Sequence, residues 1–340
     1  MTTPALDAAL APFRAVAPVL RDWLPARALQ AAMARGLTEA LVAGPVTPAA
    51  LAARTRLPER GVTMLLALLG PLVTREGQMV AAAPVLREAW PHRALLEAKL
   101  ADAARALPDA HAHLEALLFD TPRFMAESAT FALFRYDRAL TDDAAARAAT
   151  APWVAITTAL SRHEAPVLAA WRGWQGRLLD IGGNSGETAR GLCAAHPGLE
   201  VTVADLPAVC ALGRAHLAGA PEAARIRFHP CDLRGEDPPG GFDAVLLKSV
   251  LHDWPPPEAA RLLRRAAAAL GPGGTLVILE RARLPGADYG TLPDLLFHAF
   301  YRDATEYAPM LRAAGFALVA CETLQLDVPF LAMEAVLTPG

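Results

Sequence analysis

The spacing of apolar residues divides the chain into a helical first part and a second part in which strands alternate with helices. From about residue 176 onward, the short apolar runs "RLLDI", "EVTVADL", "IRFHPCD", "FDAVLLKSV" and "TLVILERA" are separated by helical stretches such as "PEAARLLRRAAAAL". This alternation predicts a doubly wound, mostly parallel sheet that binds ligands at the carboxyl ends of its strands. The last two runs, "FALVACETL" and "FLAMEAVL", are close together and predict an antiparallel edge pair. The second part is therefore expected to be an α/β domain.

The pattern up to about residue 105 predicts helices and one short hairpin. The stretch "PARALQAAMARGLTEALVAG" has apolar residues at helical spacing and ends at Gly44. It is followed by two predicted helices and two short strands joined by "REGQ", which is the order of a winged helix. The second of these helices, "ERGVTMLLALLG", presents mainly apolar residues, whereas readout of the DNA major groove needs Arg, Lys, Asn or Gln. We therefore expect packing or dimerisation from this domain, and no binding of nucleic acid.

The stretch between these parts is again helical and is richer in aromatic residues, as in "TPRFMAESATFALFRYDRAL". Such clusters usually belong to the core, but this one directly precedes a predicted ligand-binding domain. Some of its members are therefore candidates for the walls of an apolar pocket. We predict a dimerisation domain over residues 1–105, connecting helices over 106–175 and a ligand-binding domain over 176–340.

Composition and charge narrow the class of protein further. Of the 340 residues, 54% are hydrophobic and 20% are charged, and the net charge of −3 gives no electrostatic reason to expect nucleic acid as a partner. Apolar runs such as "MLLALLGPLV" are too short and too broken to span a membrane, and the N-terminus lacks the basic start of a signal peptide. The four cysteines are scattered, without the spacing of a zinc site or a disulfide framework. We expect a reduced, cytoplasmic protein.

A glycine-rich turn follows the first strand of the α/β part, in "LLDIGGNSGET". A phosphate-binding P-loop would need a lysine that this turn lacks, and a dinucleotide fingerprint would need glycine where Asn184 stands. S-adenosylmethionine carries no phosphate, so its binding requires only a close approach of the backbone. Asn184 suits such a turn because asparagine tolerates the left-handed conformation better than most residues. This cofactor is therefore the one that the turn favours.

Acidic residues end three successive predicted strands around this turn: Asp180, Asp205 and Asp232. The Asp205 carboxylate can accept both ribose hydroxyls, and Leu206 can lie against the adenine. Asp232 can reach the adenine amino group, and Leu233 can cover the face of the ring. A single acid at a strand end is usually a turn or helix cap, but three in register favour a nucleoside site.

His252 follows the fourth strand of this part, and Glu280 ends the next one. Both residues are therefore expected at the edge of the sheet where the cofactor binds. Histidine has the side-chain pKa nearest neutrality, so His252 can remove a proton from a hydroxyl as a methyl group arrives. Glu280 can bind the other ring nitrogen and fix the tautomer. A histidine alone would more often be a cap or a core residue, but the pair favours a catalytic role.

These motifs resemble those of the S-adenosylmethionine-dependent O-methyltransferases of the plant caffeate and acetylserotonin type and their bacterial natural-product relatives. The resemblance covers nearly the full chain and rests on "LLDIGGNSG", "ADLP", "CDL", "LLKSVLHDW" and "GPGGTLVILE". It implies a Rossmann-like methyltransferase domain, a winged-helix dimerisation domain, a homodimer and a hydrophobic, aromatic small-molecule acceptor. It also implies that His252 is the general base and Glu280 its orienting carboxylate.

The resemblance, together with the acids at the strand ends, assigns these residues to the cofactor: Asp180, Gly182, Asp205, Leu206, Asp232, Leu233 and Lys248. The acceptor pocket is expected to be lined by Phe124, Met125, Phe131, Phe134, Trp153, His298 and Tyr301. We expect no magnesium-dependent mechanism, because no acidic cluster suited to Mg²⁺ accompanies His252.

One departure from the family pattern leaves alternatives open. The family has a Glu-Arg-Thr run whose glutamate is a second partner of the histidine, whereas here Tyr301 precedes Arg302 after a shorter loop. Asp303 or Tyr301 is then the substitute, or Glu280 acts alone.

A further alternative is metal-assisted C-methylation of an aryl keto acid through His252 and His298. Two more alternatives remain for this chain. It is a member that has lost methyl transfer or become a hydroxylase or cyclase, or it is a non-enzymatic sensor of S-adenosylmethionine, which would need no base.

Overall fold

The computed structural model describes residues 23–281, 283 and 301–338, without the side chains of Trp23, Leu133 and Phe134. The chain forms two compact units that meet in sequence between Ala132 and Leu133. This boundary falls inside the stretch 106–175 that we assigned to connecting helices, and the three-part division of the chain remains a prediction.

The first unit, described over residues 23–132, is helical with one hairpin. Its elements are α1 (Trp23–Ala34), α2 (Leu37–Ala43), α3 (Pro48–Thr55), α4 (Glu59–Leu68), β1 (Val73–Glu76), β2 (Met79–Ala82), α5 (Pro84–Ala89), α6 (Arg93–Ala112), α7 (Leu114–Phe119) and α8 (Thr121–Glu127). Helix α3 begins where the sequence favours it, because the Thr47 hydroxyl accepts the Ala50 N–H at 3.2 Å and Pro48 is the first helical residue. Strands β1 and β2 are antiparallel. The order of helices and hairpin is the one that the winged-helix prediction requires.

The second unit, described over residues 133–281, 283 and 301–338, contains the α/β domain. Its elements are α9 (Ala144–Trp171), β3 (Gly176–Ile181), α10 (Glu187–Ala195), β4 (Leu199–Asp205), α11 (Pro207–His216), β5 (Ile226–Pro230), β6 (Phe242–Lys248), α12 (Pro256–Ala269), β7 (Leu270–Arg281), α13 (Ala304–Ala313), β8 (Phe316–Gln325) and β9 (Pro329–Leu337). Each of these strands overlaps one of the apolar runs that predicted it.

The seven strands form one sheet in the order β5-β4-β3-β6-β7-β9-β8. The first five in this order are parallel, whereas β9 is antiparallel to both of its neighbours. The prediction of a doubly wound, mostly parallel sheet with an antiparallel edge pair is confirmed. Strand order reverses next to β3, so a crevice opens at the carboxyl ends of β3, β4 and β6, which is where open α/β sheets bind ligands.

Candidate active site

The glycine-rich turn after β3 is held in left-handed backbone conformations. Gly182, Asn184 and Gly186 have φ values of 68°, 54° and 74°. A Cβ atom at Gly182 would lie 2.8 Å from the Val250 side chain, and one at Gly183 would overlap the Asp180 carboxylate. The turn therefore needs glycine at these two positions to approach its neighbours, and the expected left-handed conformation of Asn184 is present.

Asp205, at the end of β4, binds the turn. One carboxylate oxygen accepts the Asn184 N–H at 2.8 Å, and the other accepts the Leu206 N–H at 2.7 Å. Burial raises the pKa of Asp205 to about 6, against the effect of these two hydrogen bonds. Because each carboxylate oxygen can accept a second hydrogen bond, Asp205 retains the capacity to bind ribose hydroxyls.

Asp180, at the end of β3, lies beneath the turn with 1% of its surface exposed. Neither of its carboxylate oxygens accepts a hydrogen bond from any described residue. Burial raises the pKa of Asp180 to about 7, although the Lys248 ammonium acts in the opposite direction. An uncompensated buried carboxylate is costly, so this site is suited to a ligand that carries positive charge.

Lys248 ends β6 and is already paired. Its ammonium group donates to the Glu164 carboxylate at 2.6 Å, and the Glu164 side chain, from the middle of α9, is 3% exposed. Glu164 was not among the residues predicted from the sequence. It follows Ser161, Arg162 and His163 in a polar stretch of α9, so nothing in the local pattern indicates that its carboxylate is buried. The predicted contact of Lys248 with the cofactor stays a prediction.

Asp232 follows β5 and binds Arg234 with both oxygens, at 2.9 and 3.0 Å. The same guanidinium donates to Asp137 at 2.7 Å. Arg234 was also missed, because nothing in the local pattern distinguishes it from other exposed arginines. Since its charge is paired twice, it is a poor candidate for binding a phosphate.

A cavity opens beside the turn and, counting the part open to solvent, encloses about 580 Å³. It is lined by Tyr136, Trp153, Gly182, Ala204, Asp205, Leu206, Cys231, Asp232, Leu233, Arg234, Ser249, Val250, Asp253, Trp254 and Leu262. Five of the seven residues that the sequence assigned to the cofactor are among them. Trp153, which we assigned to the acceptor pocket, lies in the same cavity. Tyr136 belongs to the aromatic stretch from which pocket walls were expected but was not among the assigned residues, and Trp254 was missed; the centroids of their stacked rings are 5.9 Å apart.

These surroundings fit S-adenosylmethionine. The glycines provide the close backbone approach, the Asp180 carboxylate lacks a partner among the described residues, and apolar and aromatic walls suit an adenine ring. The basic side chain that lines the cavity is bound by two carboxylates. Among the residues that line it, the cavity therefore offers apolar walls and the Asp205 carboxylate to an adenosine, and its one basic side chain, Arg234, is already paired.

His252 lies in the short 3₁₀ helix Leu251–Asp253 after β6 and is buried. Its Nδ1 is 2.6 Å from one oxygen of Glu280. The other Glu280 oxygen accepts the N–H groups of Val250 at 2.8 Å and Leu251 at 2.6 Å. The structure therefore brings the predicted pair together, with the glutamate also binding the backbone of the histidine loop.

The charges around this pair determine its protonation. Burial alone would lower the pKa of His252, but the carboxylates of Glu280 and Asp253 outweigh burial and raise it. Burial would raise the pKa of Glu280, but His252 and the two backbone donors lower it. Glu280 is thus held as a carboxylate, which can only accept hydrogen bonds, so Nδ1 of His252 carries the proton.

The departure from the family pattern is resolved in part by the positions of three consecutive residues. The Tyr301 ring meets the His252 ring edge-to-face at 5.7 Å. Arg302 is buried and donates to the carbonyls of Leu251 at 2.8 Å and Trp254 at 2.6 Å, on either side of the histidine. The Asp303 carboxylate caps α13 by accepting the N–H of Thr305 and Glu306. Tyr301, and not Asp303, therefore occupies the place beside the imidazole.

The remaining predicted pocket residues belong to the first unit or lie outside the described residues. Phe124 is fully buried and packs edge-to-face on Phe131 at 5.7 Å, and Met125 is half-buried. The Phe134 side chain and the whole of His298 lie outside the described residues. The assignment of these five residues to an acceptor pocket stays a prediction.

The described part of the chain offers neither a candidate metal site nor a candidate membrane-spanning helix. It contains no group of three or more His, Cys, Asp or Glu side chains placed to hold a metal ion. No helix within it is both long and apolar enough to cross a membrane. The alternative of metal-assisted C-methylation depends on His298 and is not favoured by the comparisons below.

A parallel sheet whose strand order reverses beside a glycine-rich turn and an apolar cavity is the arrangement expected of an S-adenosylmethionine-dependent methyltransferase, and the comparisons with known proteins show this class. The family model of the O-methyltransferase domain matches residues 165–317. Acetylserotonin O-methyltransferase of Mus musculus is 32% identical over 343 aligned residues, which cover 90% of this chain and 84% of that enzyme. The chain belongs to the family of S-adenosylmethionine-dependent O-methyltransferases, and its cofactor is S-adenosylmethionine.

Two further matches have different extents. The 3-hydroxy-5-methyl-1-naphthoate 3-O-methyltransferase of Streptomyces sahachiroi is 42% identical over 104 residues, which are 31% of this chain and only 30% of that protein. The solved structure of the mitomycin 7-O-methyltransferase MmcR has a TM-score of 0.69 and 26% identity, and the match covers 92% of this chain and 94% of that one. The fold is thus shared over nearly the whole chain, whereas the 42% identity is confined to 104 residues.

Proposed function

We propose that this enzyme methylates a hydroxyl group of a hydrophobic, aromatic small molecule, with His252 as the general base. The observation that carries this proposal is the 2.6 Å contact between Nδ1 of His252 and Glu280. Because Glu280 holds a proton on Nδ1, Nε2 is the nitrogen left to take the proton of the acceptor.

When bound, S-adenosylmethionine would supply a methyl group on a positively charged sulfur, and the acceptor oxygen would attack the methyl carbon as the carbon–sulfur bond breaks and the neutral thioether leaves. Nε2 of His252 takes the hydroxyl proton, and Glu280 stabilises the resulting imidazolium. The N–H groups of Val250 and Leu251 keep Glu280 ionised throughout. General-base catalysis of this kind accounts for a factor of about 10²–10⁴, and the remainder comes from holding the acceptor oxygen close to the methyl group.

The proposed cofactor contacts follow the sequence assignment. Asp205 would bind the ribose and Asp180 would face the positive charge, while Leu206 and Leu233 would enclose the adenine. Trp254 and Tyr136 extend these apolar walls.

The acceptor class is supported by the relative named for a naphthoate substrate and by the aromatic residues of the cavity wall.

A homodimer is supported by exposed apolar side chains in the described part of the first unit, where Leu24, Met64 and Phe119 are 57%, 55% and 84% exposed. Light scattering tests this proposal, and a monomer would refute it. The cytoplasmic location stays a prediction from the sequence.

The test of function is methyl transfer from labelled S-adenosylmethionine to a panel of phenols, naphthols and aryl keto acids. We expect phenols or naphthols to be labelled by the native enzyme and not by His252→Ala. His229→Ala is the matched control, because His229 is an exposed histidine on β5 and its loss should leave transfer unchanged. Labelling of keto acids alone would refute O-methylation, and full activity of His252→Ala would refute the role of the base.

A further inference from the structure

A second carboxylate lies beside the proposed base. Asp253, the next residue in the chain, has one oxygen 3.4 Å from Nε2 of His252, and its side chain is 12% exposed. Nε2 is the nitrogen that must be unprotonated to accept a proton. A carboxylate in direct contact with it would favour the imidazolium form and occupy the base before the acceptor arrives.

The other oxygen of Asp253 is bound by a residue from a distant part of the same unit. The Tyr136 hydroxyl donates to it at 2.6 Å. Burial, with the charge of Asp253, raises the pKa of Tyr136 well above its usual value, so the hydroxyl remains a donor throughout the neutral range. The contact is therefore a hydrogen bond from a neutral hydroxyl to a carboxylate, which is stronger than one between two neutral groups.

Two tryptophans fix the position of this hydroxyl. The Tyr136 ring is stacked on Trp254 at 5.9 Å and meets Trp153 edge-to-face at 6.0 Å. Trp254 follows Asp253 directly, and its carbonyl accepts a hydrogen bond from Arg302. The ring is thus held between α9 and the histidine loop, so its hydroxyl can restrain the carboxylate and not merely follow it.

We propose that Tyr136 is a positioning residue that holds the Asp253 carboxylate away from Nε2 of His252 and thereby keeps this nitrogen available to the acceptor. This inference rests on the proposed role of His252 as the base. The separation of 3.4 Å exceeds the 2.7–2.9 Å of a charge-assisted hydrogen bond between nitrogen and a carboxylate oxygen. Without the hydroxyl, the imidazolium becomes the strongest donor within reach of the carboxylate, and the two close on each other.

Among the described residues, other charged and titratable groups also face His252, and these remain when the Tyr136 hydroxyl is removed. Strand β7 contributes Glu280 and Arg281, which act on the imidazole in opposite directions. The Tyr301 ring covers one edge of the imidazole, and Arg302 binds the carbonyls on either side of it. Tyr307 of α13 faces Glu280 and Arg302. A change in the titration of His252 on loss of the Tyr136 hydroxyl therefore reports on Asp253.

The experiment is a titration of His252 by NMR in the full-length enzyme labelled with ¹³C at histidine Cε1, without an acceptor. The His252 signal is identified by its loss in His252→Gln. Tyr136→Phe keeps the stacked ring and removes only the hydroxyl, and we expect it to raise the pKa of His252 by about one pH unit. Asp253→Asn should lower this pKa, and adding Tyr136→Phe to Asp253→Asn should change it no further.

Tyr307→Phe is the matched control, since it removes a buried tyrosine hydroxyl near the same loop that does not bind Asp253. An unchanged or lowered pKa in Tyr136→Phe would overturn the proposal. So would an equal rise in the Asp253→Asn background or in Tyr307→Phe. The titration needs no turnover, so its result is independent of the transfer assay. If His252→Ala were fully active, the proposed role of His252 as the base would be refuted. The titration of His252 in the otherwise native enzyme would still test whether Tyr136 restrains Asp253.

Discussion

We predict that the buried Asp180 carboxylate destabilises the folded enzyme in the absence of its cofactor. Replacing it in Asp180→Asn removes the charge while keeping the size of the side chain. We expect this variant to be more stable than the native protein in the absence of S-adenosylmethionine, because neither carboxylate oxygen has a hydrogen-bond partner among the described residues. We also expect it to bind the cofactor more weakly, because the negative charge proposed to face the positive charge of S-adenosylmethionine is lost.

The magnitude follows from the pKa of Asp180, which rises from 3.8 to about 7 on folding. A group with a raised carboxyl pKa binds a proton more readily in the folded state, so its cost is absent below the unfolded pKa and complete above the folded one. The shift corresponds to about 4 kcal/mol of lost stability at pH 8, since each pKa unit is worth about 1.4 kcal/mol. About 3 kcal/mol of this loss develops between pH 5 and pH 8.

The assay is urea unfolding of both proteins without cofactor at pH 5, 6.5 and 8, with Asp237→Asn as the control, because Asp237 is 83% exposed. The gain in the free energy of unfolding from Asp180→Asn should increase with pH, and the control should show little change. Calorimetry should show that native affinity for S-adenosylmethionine falls as the pH drops below about 7. A stability difference independent of pH, or a variant less stable than the native protein at pH 8, would refute the reasoning.

Two further predictions concern the base and the turn. Glu280→Gln should lower the rate of methyl transfer about 10²-fold or more, because the imidazolium loses its charged partner and the amide can reverse the tautomer of His252; an unchanged rate, measured with saturating cofactor, would contradict this. Gly182→Ala should weaken binding of S-adenosylmethionine in calorimetry, because φ is 68° there and the added Cβ would lie 2.8 Å from Val250. Gly198→Ala is its control, since a Cβ at Gly198 contacts nothing within 4 Å.

The strands and the ends of the sheet could be predicted because they leave local patterns. Each apolar run became a strand, and the acids at the ends of β3 and β4 and just after β5 could be placed at one edge because parallel strands end there together. The pairing of His252 with Glu280 followed from the same argument, since β6 and β7 are neighbours.

The contacts between α9 or the residues before it and this edge could not be predicted. Glu164 reaches Lys248 across 84 positions, and Tyr136 reaches Asp253 across 117. Such pairs depend on how a helix packs on the sheet, which has no periodic signal in the sequence. Asp205 illustrates a second limit: its place at a strand end was predicted, but its hydrogen bonds to the glycine turn depend on backbone conformation.

The loop that contains His252 is anchored by Glu280 on one side and by Arg302 on the other, and residues 281–301 lie between these two anchors in the sequence. The hydrogen bonds that hold the histidine are made by the anchors themselves and do not depend on the number of residues between them. The position of His252 is therefore compatible with different lengths of the chain between Glu280 and Arg302.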